Sequence, residues 1–213
     1  MSSMYGIACA LFYYSFAQMP WLVSWVCALA LAFWLTAVPY WLARGIAPAP
    51  AGALPAAGAL VLVPAAVAMA LLPREQLLII LGLVWVADTA AYFVGSAFGR
   101  RKLAPSISPG KTWEGVAGAA IATLIYAIIC AMLSPDLGGR VQGVIWVPFL
   151  AGAVLLCAVG IIGDLFESAL KRQAGAKDSG RLLPGHGGIL DRIDSATATL
   201  PLALLLMQAL GAA

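Results

Sequence analysis

Acidic and basic side chains are concentrated in two stretches of this 213-residue chain. Of its 12 Lys and Arg and 9 Asp and Glu residues, six fall between residues 88 and 114 and ten between residues 164 and 194. The second stretch mixes five acids with five bases. Carboxylates bind hard cations such as Mg²⁺, and Lys and Arg bind phosphate oxygens. The combination indicates a site for a metal ion together with a polyanion.

The first acid of the second stretch, Asp164, directly follows an apolar run. Asp164, Ser168 and Lys171 are spaced i, i+4 and i+7, which places them on one helix face. We interpret them as a metal-binding carboxylate beside a phosphate-binding hydroxyl and ammonium group. A charged residue beside the hydrocarbon is energetically costly, and such residues are therefore usually functional. The alternative is an ordinary helix end at the membrane interface. Glu167 fits that alternative, as an i,i+4 surface pair with Lys171.

Between residues 173 and 188 lie five glycines and one proline. This composition predicts a loop whose backbone N–H groups can approach an anion closely. His186, the single histidine of the chain, lies in this loop beside Gly187 and Gly188. A direct ligand contact and a structural role are both open for it.

Two further acids, Asp191 and Asp194, open the last predicted helix, with Arg192 between them. The helix dipole favours acids in a first turn, which would account for one of them. Two acids that face Asp164 at the end of the preceding span are more typical of a cation site. Mg²⁺ is the expected ion, because carboxylate and phosphate oxygens are its usual ligands.

The first charged stretch begins with Asp88, near the middle of an apolar run. An acid at this depth predicts either a functional site or a polar link between helices. Ser108–Thr112 is similar to the end of a P-loop, but Pro105 replaces the first glycine and no strand is predicted before it, so a Walker ATPase is excluded. Lys111 remains a candidate phosphate contact, with snorkelling to the interface as the alternative.

The elements that carry these residues are predicted to be membrane-spanning helices. Hydrophobic residues make up 63% of the chain and charged residues 10%, whereas soluble domains have about 25% charged residues. This excludes a soluble globular protein and a disordered chain, and the net charge of +3 gives no support for nucleic-acid binding. Gly95 and Gly99, in a G-x-x-x-G pattern, indicate helix packing. The four isolated cysteines are interpreted as small core or lipid-facing residues. Seven apolar runs are span candidates: Met1–Met19, Pro20–Ala43, Ala53–Leu72, Gln76–Gly99, Gly115–Leu133, Gly143–Gly163 and Ala196–Ala212.

Nine of the twelve basic residues lie between runs four and five or between runs six and seven. The positive-inside rule places both connections in the cytoplasm, with the N-terminus inside and the C-terminus outside. We therefore expect an all-α integral membrane protein, a polytopic bundle of about seven transmembrane helices with two charged cytoplasmic loops. Residues 1–75 are expected to supply helices, and residues 76–213 the catalytic region. The first run lacks a basic n-region and a cleavage site, so we interpret it as a span and not as a signal peptide.

A longer pattern extends from Ser168 to Ser195. It reads S-A-L-K-R, four residues, K-D, then P-G-H-G-G and D-R-I-D-S. Over these 28 residues it resembles, without a departure, the signature of the phosphatidate cytidylyltransferases, the CDP-diacylglycerol synthases. Residues 88–99 and 108–115 are similar to other segments of that family.

The resemblance implies an enzyme at the cytoplasmic face of the inner membrane that converts CTP and phosphatidate into CDP-diacylglycerol and pyrophosphate. It also implies Mg²⁺ held by Asp164 and Asp191, a monovalent cation (K⁺) beside it, and a homodimer. Members of the family are commonly longer at the N-terminus. We therefore expect a short form or a clipped reading frame, which would affect the number of spans and leave the site unchanged.

The chemistry of the residues agrees with this reaction. The attacking phosphate oxygen is already anionic, so the barrier is the approach of two anions, which a metal ion and basic side chains lower. Asp194 is expected to support the metal or to orient Arg192, and a groove between spans to hold the acyl chains. The candidate catalytic residues are Asp164, Lys171, Asp191 and Asp194. The candidate substrate-binding residues are Asp88, Lys111, Ser168, Arg172, Lys177, His186, Gly187, Gly188 and Arg192.

Other functions remain as alternatives. A transporter or channel would account for Asp88 and the basic loops, but not for a glycine-rich loop between acid-bearing helices. A CTP-dependent polyprenol kinase would use the same nucleotide on another lipid. A CDP-alcohol phosphotransferase is excluded, because Asp194 is followed by Ser-Ala-Thr where that family has a D-G-x-x-A-R motif.

Overall fold

A computed structural model describes residues 18–45, 52–176, 178–180, 188 and 190–211. This part of the chain is a helical bundle with one small hairpin. Its elements are α1 (Pro20–Ala43), α2 (Ala53–Leu71), α3 (Arg74–Phe98), β1 (Lys102–Ala104), β2 (Ser108–Thr112), α4 (Trp113–Leu133), the short α5 (Pro135–Arg140), α6 (Trp146–Gln173) and α7 (Leu190–Ala209). The all-α class predicted for the membrane protein is confirmed.

Five helices are long and apolar enough to cross a membrane: α1, α2, α3, α4, and α6 together with the 3₁₀ turn before it. An α-helix rises about 1.5 Å per residue, so about 20 residues cross the hydrocarbon core. The seventh predicted run forms most of α7, a helix of 20 residues whose first turns are charged. The first predicted run, Met1–Met19, lies outside the described residues except for its last two.

The last helix, α7, is the centre of the bundle. All its residues from Ser195 to Leu204 are buried, and α1, α2 and α6 pack against it. A helix buried around its whole circumference is apolar on every side, as this one is after its first turns. Its charged N-terminal turns therefore emerge from the buried centre of the bundle.

The sixth helix is longer than its apolar run. The predicted span ended at Gly163, whereas the observed helix continues to Gln173. The extension is held by Phe166, whose ring packs edge-to-face on Phe33, Trp34 and Trp41 of α1 at centroid distances of 5.8, 5.7 and 5.4 Å. A π-helical turn at Phe33–Ala37 lies at this contact. Asp164 therefore lies within one continuous helix with Ser168 and Lys171, as their spacing predicted.

The first charged connection contains an antiparallel hairpin that the sequence reading missed. Lys102 pairs with Thr112 and Ala104 with Ser108, with an irregular register between the two pairs. The backbone N–H groups of Arg100 and Arg101 donate to the Glu114 carboxylate at 3.1 and 3.2 Å. The expectation that no strand precedes Ser108–Thr112 is wrong, since β1 does, but this segment is itself a strand and not a phosphate-wrapping loop.

The packing predictions for small residues agree with the fold. Cys27, Cys130 and Cys157 are free thiols, and Cys27 and Cys157 are buried, while Cys9 lies outside the described residues. A Cβ atom at Gly95 would lie 3.0 Å from the Thr112 hydroxyl, so this glycine faces a close contact.

Candidate functional site

A cavity of about 440 Å³, with charged side chains in a mainly apolar wall, lies between α3, β2, α4 and α6. Asp88 of α3, Lys111 of β2 and Asp164 of α6 are among the residues that line it. The Lys111 Nζ atom lies 2.5 Å from Asp164 Oδ2, and the Ser168 hydroxyl donates to Asp164 Oδ1 at 3.3 Å. The structure thus brings together four of the predicted site residues.

The hairpin carries Lys111 to this position. Ile107, at the turn of the hairpin, is 3% exposed and belongs to a cluster with Leu165 and Ala169 of α6. This contact holds the hairpin against the helix that bears Asp164. Because Lys111 follows on β2, its side chain reaches the carboxylate across the cavity.

Close helix packing sets the other walls of the cavity. A Cβ atom at Gly115 of α4 would lie 2.8 Å from the Ala91 carbonyl oxygen of α3, so a larger residue would push these helices apart. Similarly, a Cβ atom at Gly163 of α6 would lie 2.9 Å from the Asp194 carbonyl oxygen of α7. The residue after Gly163 is Asp164, so this crossing places Asp164 and Asp194 at the same level of the bundle.

A second charged cluster joins α6 to α7. The Lys171 ammonium group lies 2.7 Å from Glu167 Oε2 and 2.6 Å from Asp191 Oδ1. The side chains of Lys171, Glu167 and Asp191 are 19%, 14% and 11% exposed. The pairing of Glu167 with Lys171 is confirmed, but its placement at the surface is wrong: the pair is largely buried because α7 covers it.

Asp191 is the most extensively bonded acid of the site. Besides Lys171, its carboxylate accepts from the Ser179 hydroxyl at 2.9 Å, the Ser179 N–H at 3.0 Å and the Gly188 N–H at 2.7 Å. Asp191 precedes the apolar run that begins at Ala196. Although desolvation raises the pKa of its carboxyl, the hydrogen bonds from Lys171, Gly188 and Ser179 outweigh that effect and hold the pKa well below its ordinary value.

The remaining predicted residues are placed as follows. Asp194 Oδ1 accepts from the Ser195 N–H at 2.7 Å, which fixes this acid at the N-terminal end of α7. Arg172 and Arg192 are exposed, and Arg172 Nη1 lies 3.5 Å from the Ala176 carbonyl oxygen. The predictions for Lys177, His186 and Gly187 fall outside the described residues.

The predicted metal site is not assembled as one group of ligands. Among residues 18–45, 52–176, 178–180, 188 and 190–211, no three acidic, histidine or cysteine side chains are grouped so that they could hold a metal ion together. Asp164 and Asp191 lie in separate ion pairs, one with Lys111 and the other with Lys171. Their assignment as joint ligands stays a prediction.

Sequence reasoning missed two residues of these clusters, Glu167 and Ser179. Glu167 carried a signal, since it lies four residues before Lys171, but its burial depends on α7. Ser179 carried none, because its contact with Asp191 bridges twelve residues of sequence.

Comparison with known proteins adds to these observations. A sequence model described as the cytidylyltransferase family matches residues 2–210. Proteins named phosphatidate cytidylyltransferase from Haemophilus influenzae, Pseudomonas aeruginosa and Bacillus subtilis are 51%, 45% and 44% identical to the chain over 128, 159 and 124 residues. These alignments cover 59%, 72% and 58% of this chain and 43%, 57% and 44% of the relatives. The chain spans about half the length of the curated relatives that it matches.

Proposed function

We propose that this chain, because it belongs to the cytidylyltransferase family, transfers the cytidylyl group of CTP to phosphatidate and releases pyrophosphate. The family match agrees with the resemblance of residues 168–195, and the named relatives supply the lipid substrate as an expectation. The observation that carries the proposal is the ion pair of Lys111 with Asp164 in a cavity of the apolar bundle. The phosphates of a nucleotide and of a lipid headgroup need charged partners of this kind, and acyl chains need an apolar wall beside them.

The reaction needs charge neutralisation more than proton transfer. A phosphate oxygen of phosphatidate attacks the α-phosphorus of CTP, a new P–O bond forms, and the bond to the β-phosphate oxygen breaks so that pyrophosphate leaves. The attacking oxygen is already ionised, so no side chain has to remove a proton from it. Lys111 and Lys171 would neutralise phosphate oxygens, and each is presently held by a carboxylate at the site.

The exposed arginines would extend this basic surface. Arg172, at the end of α6, and Arg192, in the first turn of α7, lie next to the Lys171 cluster in sequence. We assign them to the triphosphate of CTP together with Lys177. Guanidinium groups suit this role because they bind phosphate through two parallel hydrogen bonds.

The residues suit a divalent cation in their chemistry. Asp164 and Asp191 offer carboxylate oxygens, and each is paired with a lysine ammonium group in this structure. Asp164 and one oxygen of Asp191 would hold Mg²⁺, with Asp194 beside Asp164 as a supporting acid. When bound, the ion would neutralise and orient phosphate oxygens. The K⁺ ion stays a prediction from the family resemblance.

We place the reaction at the cytoplasmic membrane face. The basic residues that would bind phosphates lie in the two connections that the positive-inside rule assigns to the cytoplasm. The acyl chains would leave the cavity along apolar residues of its wall such as Ala91, Val116 and Ile161. A homodimer is proposed on the family resemblance alone.

Pyrophosphate release by the purified protein in detergent tests the proposal. CTP, Mg²⁺ and dioleoyl phosphatidate together are expected to give pyrophosphate and a CDP-lipid in equal amounts, and omission of any one of them is expected to abolish both. ATP in place of CTP is the nucleotide control. Formation of CDP would instead indicate a lipid kinase, and substrate flux into liposomes without a chemical product would indicate a transporter.

A further inference from the structure

The two oxygens of the Asp191 carboxylate have different partners. Oδ2 accepts three hydrogen bonds, from the Ser179 N–H, the Ser179 hydroxyl and the Gly188 N–H, at 3.0, 2.9 and 2.7 Å. Oδ1 lies 2.6 Å from the Lys171 ammonium group and shares only the Ser179 N–H, at 3.2 Å. Oδ2 is therefore saturated by neutral donors, whereas the main partner of Oδ1 is a cation.

The contacts of Oδ2 bring distant parts of the chain together. Ser179 precedes Asp191 by twelve residues, and Gly188 precedes it by three. A Cβ atom at Gly188 would lie 2.7 Å from the Gly180 nitrogen and closer still to the Ser179 hydroxyl. Only glycine leaves room for Ser179 at this point. The Ser179 hydroxyl thus lies against Gly188 while it donates to the Asp191 carboxylate.

The contact of Oδ1 joins the two helices of the site. Lys171 is shared between Asp191 Oδ1 and Glu167 Oε2, and all three side chains are mostly buried. Neither Ser179 nor Gly188 brings a charge to Oδ1. Replacement of the ammonium partner of Oδ1 by another cation would therefore leave the Oδ2 contacts in place.

We propose that Ser179 is a positioning residue, which fixes Asp191 through Oδ2 and directs Oδ1 toward a cation and the phosphates that accompany it. The inference rests on the proposed nucleotide-dependent function, since it assigns Asp191 as a one-oxygen ligand. Residues that orient metal ligands typically change metal affinity by about 10–100-fold when they are replaced. Loss of the Ser179 hydroxyl should therefore weaken cation binding although Ser179 itself touches no cation.

The test compares Ser179→Ala with the shape-matched pair Ser179→Thr and Ser179→Val, of which only the threonine keeps a hydroxyl. Binding of Mn²⁺ to the purified chain without substrate is followed by the electron paramagnetic resonance signal of the free ion. We expect about tenfold weaker binding for the alanine and valine variants and a near-normal value for threonine. With substrates, the KM for CTP should rise more than kcat falls. Ser24→Ala, which removes a hydroxyl from α1 that bonds to Pro20 and Gln208, is the matched control.

Equal Mn²⁺ affinity in the wild type, the alanine variant and the valine variant would overturn the inference, as would a wild type that binds no Mn²⁺. Loss of affinity in the threonine variant as large as in the valine variant would also overturn it, because shape would then be the cause. Thermal unfolding in detergent identifies a variant that has not folded. The Mn²⁺ affinities of the two variants that do fold then decide whether the inference holds. If Mn²⁺ binding behaves as expected but no CDP-lipid forms, the positioning role stands and the proposed function fails.

Discussion

At the scale of single residues, lysine–carboxylate pairs define the site. Lys111 neutralises Asp164 in the cavity between α3, β2, α4 and α6, and Lys171 lies between Glu167 and Asp191. A carboxylate left alone in so apolar a bundle would be costly, and so would a lone ammonium group. In each pair the opposite charges compensate each other. Carboxylates also bind hard cations and lysines also bind phosphates, so both partners suit a metal–nucleotide complex. In both of these clusters the carboxylates are thus paired with an ammonium group.

Replacement of Lys111 should affect the reaction strongly. In Lys111→Ala, Asp164 loses its cation and the substrate loses a neutralising charge, so we expect kcat/KM for cytidylyl transfer to fall about 100-fold. Lys111→Arg should restore part of the activity, because it keeps the charge but not the shape. Lys102→Ala on β1 of the same hairpin is the control and should stay within about twofold, since its side chain is exposed. Equal loss in both alanine variants would contradict a specific role for Lys111.

Replacement of Glu167 distinguishes a buried cluster from a surface pair. Glu167→Gln leaves Lys171 bound to Asp191 alone, and we expect kcat/KM to fall about tenfold, equivalent to about 1.4 kcal/mol. Asp136→Asn breaks an exposed i,i+4 pair with Arg140 at the other end of the bundle. Such pairs contribute about 0.3–0.5 kcal/mol, so activity should hardly change. If Glu167→Gln lowers kcat/KM no more than the control does, Glu167 contributes no more than an ordinary surface acid.

At the scale of elements, close helix crossings and one hairpin position the charges. The α3–α4 crossing depends on Gly115, and the α6–α7 crossing on Gly163. The hairpin β1–β2 is held by Ile107 against α6. The hairpin contact and the α6–α7 crossing each join elements whose charged residues pair, and the α3–α4 crossing shapes the wall of the cavity. The geometry of the site therefore depends on residues that have no chemistry of their own.

A methyl group at Gly115 should loosen this arrangement. Gly115→Ala brings a Cβ atom to 2.8 Å from the Ala91 carbonyl oxygen, and overpacking of this kind costs about 1–3 kcal/mol. The apparent melting temperature in detergent is expected to fall by several degrees. Gly58→Ala in α2 is the matched control, because nothing lies within 4 Å of its added Cβ atom. An equal drop in both variants would show that the crossing tolerates a larger residue.

At the scale of the whole molecule, the charge distribution sets the orientation. The basic residues are concentrated in and around the connections α3–α4 and α6–α7, whereas α5, with Asp136 and Arg140, lies beyond the opposite ends of α4 and α6. The proposed orientation, with the Lys111–Asp164 cavity toward the cytoplasm, rests on the positive-inside rule. An apolar cavity of about 320 Å³ lies toward the other end, with Arg140 among its lining residues. The two ends of the bundle thus differ in polarity as well as in charge.

Thiol labelling in membranes tests this orientation. In a background without the four native cysteines, Lys102→Cys should react with a membrane-impermeant reagent only in inside-out vesicles. Gln142→Cys, in the connection after α5, is the complementary variant and should react only in right-side-out vesicles or intact cells. Both positions are exposed. Labelling of Lys102→Cys in intact cells would reverse the assigned orientation.

The sequence by itself determined the class of protein, most of its spans and the identity of the charged residues. Apolar length and the placement of basic residues follow from the energetics of the bilayer, which act on each segment separately. The pattern from Ser168 to Ser195 was likewise local, and the family match agrees with it.

Only the tertiary structure decided which acid pairs with which base. The hairpin escaped detection because strands of three and five residues carry too little periodicity. Phe166, just beyond Asp164 in α6, packs on aromatic rings of α1. Glu167 is buried because α7 covers it, and Ser179 meets Asp191 across twelve residues. These are contacts between elements distant in sequence, and spacing along one segment carries no information about them.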